Sequence, residues 1–342
     1  MKEYSRYHRQ IILKEIGREG QRRLDQSRIA IVGLGALGSV SANLLARAGV
    51  GTIRLIDRDF LELTSLQRQV LYDEEDVTLS LPKAVAAARK LEKINSEVRI
   101  QAHIADIRAS TADELLGDVD LIIDGTDNFE TRFLLNDYSL SRKIPWIYGG
   151  AVRTEGMSYV VFPDDPPCLR CLFGGTPLQD EMQTCDQVGI LAPVAHLIAS
   201  FQATEAIKIL AGHRDRVDRR LWKVDVWSRQ FKSITVEHLQ NLPCSGCSSD
   251  DFPYLRSESE NKSLALCGRN AVQIYQYPEM NLNFRLIAEK LSDQAEVSFN
   301  PYLMNIRIPS YEITVFKNGR AIIRGTEDTG RARSLYQQYV AA

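Results

Sequence analysis

The chain has 342 residues, 44% of them hydrophobic and 25% charged, an ordinary composition for a globular protein with room for one large domain and a small one. Its formal net charge of −2 supplies no global attraction to nucleic acid or to an anionic membrane surface. No apolar run approaches the roughly 18 residues that span a bilayer, and the opening Met1–Gln10 lacks the apolar core of a signal peptide, so a cytoplasmic location with reduced thiols is expected.

Strands and helices alternate from the first buried run onward. Arg-Ile-Ala-Ile-Val at Arg28–Val32 reads as a strand, and Gly33-Leu34-Gly35-Ala36-Leu37-Gly38 follows it and opens a helix over Ala36–Ala48. The next strand, Thr52–Asp57, ends on a carboxylate about 20 residues beyond the turn, placed to accept hydrogen bonds from a ribose. This strand-turn-helix-strand context makes Gly33, Gly35 and Gly38 a credible phosphate cradle: glycines admit the phosphates close to the backbone, and the helix start offers free N–H groups. Further strands are expected at Glu97–His103, Val119–Asp124, Pro145–Tyr148, Ser158–Phe162, Leu221–Trp227 and Phe231–Val236. Helices are expected at Pro82–Ile94, Thr111–Leu116, Asn128–Ser141 and Leu191–Leu210. The fold class is α/β, a Rossmann-like, mostly parallel sheet with helices on both faces, and ligands in such sheets sit beyond the carboxyl ends of the strands.

What gathers at those strand ends selects the chemistry. Leu66-Gln67-Arg68-Gln69 and Leu81-Pro82-Lys83 supply two cations, and Gly125-Thr126-Asp127-Asn128 supplies a carboxylate. Asp127 is a hard oxygen ligand of the kind Mg²⁺ takes alongside phosphates. Two cations, a magnesium carboxylate and a helix N-terminus stabilise charge at a reacting phosphate. An NAD-dependent oxidoreductase would share the glycine turn and Asp57 but would leave Arg68, Lys83 and Asp127 without a use.

Beyond an acidic, serine-bearing linker at Arg256–Lys262 the pattern changes to a small α+β unit, giving expected domains of 1–255 and 256–342. Its strands read as Val272–Tyr275, Glu296–Phe299, Met304–Ile308, Glu312–Phe316 and Ala321–Arg324, with helices at Phe284–Leu291 and Thr329–Tyr339. Lys317-Asn318-Gly319-Arg320 is a hairpin signal.

The matching segments Arg6-Tyr-His-Arg-Gln10, Val32-Gly-Leu-Gly-Ala-Leu-Gly38, Leu66-Gln-Arg-Gln69, Pro82-Lys83, Thr126-Asp-Asn128, Pro167-Cys-Leu-Arg-Cys171, Thr184-Cys185 and Cys244-Ser-Gly-Cys247 stand in one order along the chain. In that order they resemble the bacterial relatives of ubiquitin-activating enzymes, the sulfur-carrier-protein adenylyltransferases of thiazole and molybdopterin biosynthesis (ThiF/MoeB type), most like the thiazole branch. The resemblance implies that the C-terminal Gly-Gly carboxylate of a ubiquitin-like carrier attacks the α-phosphate of ATP, releasing pyrophosphate. It implies that Asp57 holds the ribose, Arg68 and Lys83 neutralise the triphosphate, Asp127 binds Mg²⁺, and Arg9 reaches into the partner subunit of a homodimer. Where the family usually has Asn before Leu-Gln-Arg-Gln, this chain has the shorter Ser65, so a contact near the phosphates is lost or bridged by water. Some relatives carry a rhodanese domain at the C-terminus; Cys267-Gly-Arg-Asn departs from its loop pattern, so sulfur would come from a separate donor protein.

The six cysteines divide. Cys168-x-x-Cys171 and Cys244-x-x-Cys247 give four thiolates in two pairs, the ligand count and local spacing of structural Zn²⁺. Two disulfides are disfavoured in a reducing compartment, and an iron–sulfur cluster takes the same four ligands. Cys185 stands apart, ahead of a helix, where a thiol pKa falls; the resemblance makes it the candidate for covalent linkage to the carrier tail. Other members of the superfamily activate a peptide or an RNA-attached carboxylate, and the balanced charge speaks against RNA.

Overall fold

The protein is described from a computed structural model at residues 5–174, 188–241, 243–256, 263–266, 270–276 and 280–341. Its internal contacts divide the chain into Met1–Ser257 and Glu258–Ala342.

The first unit is built on an eight-stranded sheet. Its strands are β1 (Arg28–Val32), β2 (Thr52–Ile56), β3 (Arg99–His103), β4 (Leu121–Asp124), β5 (Trp146–Val152), β6 (Glu155–Val161), β7 (Leu221–Asp225) and β8 (Gln230–Ile234), in the order 3-2-1-4-5-6-7-8. From β3 through β5 neighbours run parallel; β5 to β8 form an antiparallel extension. The fold class read from the sequence is the one observed, a mostly parallel sheet in an α/β unit. The chain leaves β1 for β2 on one side and returns to β4 on the other, so the topological switch point lies between the carboxyl ends of β1 and β4, where such sheets bind ligands.

Strands β1, β2 and β4 are buried along nearly their whole length because β-branched and leucine side chains meet helices on both faces. Helices Ala36–Ala48 and Ala192–Leu210 share a cluster of Leu37, Val40, Val194 and Ile198. Helices Ala109–Leu116 and Phe129–Arg142 pack Leu115, Leu116, Phe133 and Tyr138 against Ala30, Ile122 and Trp146.

Several boundaries differ from the sequence pattern for local reasons. Strands expected at Pro145–Tyr148 and Ser158–Phe162 are longer, forming one hairpin over Trp146–Val152 and Glu155–Val161. Gly149 and Gly150 punctuate the strand pattern, yet they stand there because side chains press on the backbone. A Cβ on Gly149 would lie 2.4 Å from Gln202 Nε2, and one on Gly150 would lie 2.6 Å from Tyr148 Oη. A strongly polar helix, Gly17–Gln26, buries little besides Leu24 and Gln21, too thin an apolar stripe to register as a periodicity.

The second unit holds an antiparallel six-stranded sheet: β9 (Ser263–Leu266), β10 (Ala271–Ile274), β11 (Glu296–Phe299), β12 (Leu303–Ile308), β13 (Tyr311–Phe316) and β14 (Ala321–Arg324), ordered 11-12-13-14-10-9. Strand β9 was not expected from sequence. Helices Phe284–Leu291 and Thr329–Tyr339 cover one face through Phe284, Leu291, Leu335 and Tyr336. Among the described residues no helix is long and apolar enough to cross a membrane.

Candidate active site

The glycine turn is folded tightly onto the end of β4. Gly33, at φ +84°, donates its N–H to Ile56 O at 2.8 Å, and Gly125 N donates to Val32 O at 2.8 Å. A Cβ on Gly38 would lie 1.8 Å from Gly33 O, and one on Gly125 would lie 2.3 Å from the same oxygen. Gly33, Gly38 and Gly125 are therefore required by the backbone itself. Gly35 differs: a Cβ there would meet nothing within 4 Å. It is the N-cap of helix Ala36–Ala48 and supplies no side-chain cap, so the helix start carries no side-chain acceptor of its own, the kind of N-terminus that suits an anion.

Asp57 lies beneath this turn and is 8% exposed. Its Oδ2 accepts from Leu34 N at 2.6 Å and its Oδ1 from Asp59 N at 2.7 Å. Burial pushes its carboxyl above the ordinary range, opposed by the Lys83 ammonium. Lys83 opens helix Lys83–Ile94 directly after Pro82 and is also buried. Asp59 grips it at both ends: Lys83 Nζ is 3.3 Å from Asp59 Oδ2, and Lys83 N donates to Asp59 O at 2.9 Å. The Tyr72 hydroxyl reaches Leu34 O at 2.9 Å and Lys83 O at 3.4 Å, tying the glycine turn to that helix. Ser65 is buried in the short helix Leu63–Leu66. Arg68, half-buried just after it, donates to Thr64 O at 2.6 Å. The fold thus joins the glycine turn, Asp57 and Lys83 through hydrogen bonds, while the Arg68 side chain bonds back to Thr64 in the helix before it.

At the end of β4, Asp127 is exposed, and Asn128 caps the following helix by accepting from Thr131 N at 2.8 Å. Behind them lies a buried polar network that the sequence motifs do not reveal. Asp124 is fully buried, and its Oδ1 accepts from Thr126 N at 2.8 Å and Thr126 Oγ1 at 2.7 Å. Arg132, 6% exposed, places Nε 3.1 Å from Asp124 Oδ2 and donates through Nη2 to Thr126 O at 2.6 Å and Gly149 O at 3.0 Å. Gln202, from helix Ala192–Leu210, donates to Asp124 O at 2.7 Å and Ile147 O at 3.1 Å. A signal for this network does exist in the sequence: a carboxylate closing the apolar run Leu121-Ile-Ile-Asp124 must find a buried partner.

The N-terminal segment is anchored far from that crevice in its own chain. The buried Tyr7 ring would lie 2.6 Å from a Cβ on Gly49, its hydroxyl accepts from Asn95 Nδ2 at 2.9 Å, and Gln10 donates to Ala48 O at 2.9 Å. These anchors sit at the C-terminal end of helix Ala36–Ala48, whose 13 residues hold them about 18 Å from the cradle at its other end. Arg9, exposed between the anchors, lies at the wrong end of the helix for its own Gly35.

Cys168, Cys171, Cys244 and Cys247 come together with all four sulfurs within 4.8 Å of one another; Cys171–Cys247, Cys168–Cys244 and Cys168–Cys171 are separated by 3.5, 3.7 and 3.8 Å. Hydrogen bonds from Cys168 and Cys171 pull the Cys247 thiol down, while those from Cys168 and Cys247 push Cys171 up, so the four sulfurs titrate as one group. Cys185 and Cys267 lie outside the described residues.

A model described as the ThiF family matches residues 7–246. The chain belongs to the ThiF family. It is 39% identical over 336 residues to the sulfur carrier protein ThiS adenylyltransferase of Bacillus subtilis, a match covering 98% of this chain and 99% of that protein. It is 38% identical over 249 residues to the molybdopterin-synthase adenylyltransferase of Escherichia coli, covering 72% of this chain and 96% of that one. A crystal structure of E. coli MccB with MccA-N7isoASN shares the fold, with a TM-score of 0.62 at 24% identity over 71% of this chain and 75% of that chain. The ThiF-family segment takes in the N-terminal anchor, the glycine turn, Lys83 and the Asp124–Arg132 network, and it ends within the second cysteine pair.

Proposed function

We propose that this ThiF-family chain adenylates the C-terminal Gly-Gly carboxylate of a ubiquitin-like sulfur carrier protein, preparing it for thiocarboxylate formation in the thiazole branch of thiamine biosynthesis. The observation that carries this reading is the 39% identity to a ThiS adenylyltransferase through 98% of the chain, which runs through both units. The molybdopterin relative matches 72% of the chain, so the molybdopterin carrier is the second choice.

A carboxylate oxygen of the carrier tail attacks the α-phosphorus of ATP, the bond from that phosphorus to the bridging oxygen breaks, and pyrophosphate leaves with the electron pair. The open cradle at Gly35 and the carboxylate at Asp127 suit a magnesium–nucleotide: a Cβ-free approach to the backbone, and an exposed hard oxygen at the strand end. Mg²⁺ held by Asp127 would add positive charge to the phosphate oxygens as pyrophosphate departs. Lys83 and Arg68 neutralise the triphosphate, the N–H groups after Gly35 cradle it, and Asp57 orients the ribose through the turn it braces. Ser65 replaces a longer amide at the edge of this site.

The distance of the Arg9 anchors from their own cradle supports a homodimer in which each Arg9 completes the other subunit's site. Four thiolates at these separations suit Zn²⁺, since a tetrahedron with Zn–S bonds of about 2.3 Å has S···S edges near 3.8 Å; with four protein ligands the ion is structural. Cys185 is the proposed acceptor of the activated tail, its sulfur bonding the carbonyl carbon while the bond to AMP breaks. The sulfur donor is a separate protein. ATP–pyrophosphate exchange decides the function: exchange is expected only with a small carrier ending in Gly-Gly, and exchange with a free peptide, or none with the carrier, overturns it.

A further inference from the structure

We propose that Arg132 is a positioning residue for this reaction, holding the turn after β4 so that Asp127 is presented to the magnesium–nucleotide in one fixed orientation. The inference rests on the reading of Asp127 as the magnesium ligand.

Three polar atoms of Thr126, the residue before Asp127, are tied down. Its N–H and hydroxyl donate to Asp124 Oδ1 at 2.8 and 2.7 Å, and its carbonyl accepts from Arg132 Nη2 at 2.6 Å. The residue after Asp127 is fixed as well, because the Asn128 side chain caps Thr131 N at 2.8 Å. Arg132 closes the arrangement by pairing its Nε with Asp124 Oδ2 at 3.1 Å and bonding Gly149 O at 3.0 Å on the neighbouring strand. Its guanidinium carbon lies 5.1 Å from the Phe129 ring centre and 5.2 Å from that of Tyr148, which restricts the plane of the fork. A buried ion pair is a weak device for stability, since well-packed apolar residues do as well. Placed one residue from a candidate metal ligand, the pair has a geometric use: outer partners of this kind orient the groups that touch the metal.

Arg132→Lys separates geometry from charge. Lysine keeps the cation that Asp124 needs, but a single ammonium cannot reproduce a planar fork spanning Asp124, Thr126 and Gly149. Calorimetric binding of a non-hydrolysable ATP analogue is measured with magnesium and with EDTA. The variant is expected to bind the magnesium form roughly 10- to 100-fold more weakly, with a far smaller change in EDTA and a cooperative melt retained. In an Asp127→Asn background the same substitution should add no further magnesium penalty, because the two act on one contact. Equal losses in both backgrounds, or no loss at all, overturn the role of Arg132. Asp127→Asn alone tests the underlying reading separately: magnesium dependence unchanged in that variant removes Asp127 as the ligand. Should Arg132→Lys fail to fold, Thr126→Val, which deletes the hydroxyl bond to Asp124, goes through the same cycle; coupling to Asp127→Asn supports the inference and additivity overturns it.

Discussion

Gly35 and Gly38 stand three positions apart in one turn, and the space around each assigns it a different duty. A methyl group on Gly38 collides with the Gly33 carbonyl, backbone that cannot move without dragging β1. Gly38→Ala is therefore expected to destabilise the protein by more than about 2 kcal/mol, read from urea unfolding. Gly35→Ala meets open space and is expected to cost within about 1 kcal/mol of stability while weakening ATP binding at least about tenfold. A second residue-level expectation concerns Asp218, whose carboxylate accepts from Arg220 Nε, Arg220 Nη2 and Trp222 Nε1 at 2.9, 2.7 and 2.9 Å. Arg220 foremost lowers its carboxyl to about 2 from 3.8. A folded-state value below the unfolded one gives stability that is full above the unfolded value and lost as pH falls through the folded one. The stability gap between wild type and Asp218→Asn should be open at neutral pH, about 2 kcal/mol at most, and should close between about pH 4 and 2. A gap independent of pH contradicts the assignment. The glycine turn, Asp57 and Asp127 are legible in sequence as positions because each follows a strand end closely, and Lys83 because it follows the helix-opening Pro82. Arg132, Gln202 and Tyr72 are not, because what defines them is a partner 8 to 78 residues away in the chain.

At the scale of elements, β1, β2 and β4 read easily because each is a short apolar run, buried nearly throughout, followed by a helix. In the antiparallel half every strand is also expected and only the bounds shift: β8 runs Gln230–Ile234, exposed along its whole length, and the β5–β6 hairpin extends through two glycines that admit Gln202 and the Tyr148 hydroxyl. The cysteine pairs are legible as pairs, but that they meet is a property of the fold: helix Leu169–Phe173 carries one pair to the other, 76 residues on. Arg170 reinforces the junction by bonding Ser245 Oγ at 2.6 Å and pairing with buried Asp137 at 2.5 Å, so the cluster staples the end of the first unit to its helical layer.

For the whole molecule, the proposed homodimer would make assembly part of the chemistry, because the N-terminal anchor sits at the far end of helix Ala36–Ala48 from its own cradle. An Arg9→Ala subunit mixed with a Lys83→Ala subunit should form heterodimers with one intact site in two, each heterodimer recovering about half of the activity of a wild-type dimer; confirmed heterodimers without recovery remove the contribution in trans. The rest depends on the crevice between β1 and β4 receiving a magnesium–nucleotide. The most direct measurement is an experimental structure of the protein with that nucleotide bound. Lys83 Nζ is expected in hydrogen-bonding reach of the phosphates, having left Asp59, with Mg²⁺ about 2.1 Å from an Asp127 oxygen. A nucleotide bound with its phosphates remote from both residues would contradict that expectation.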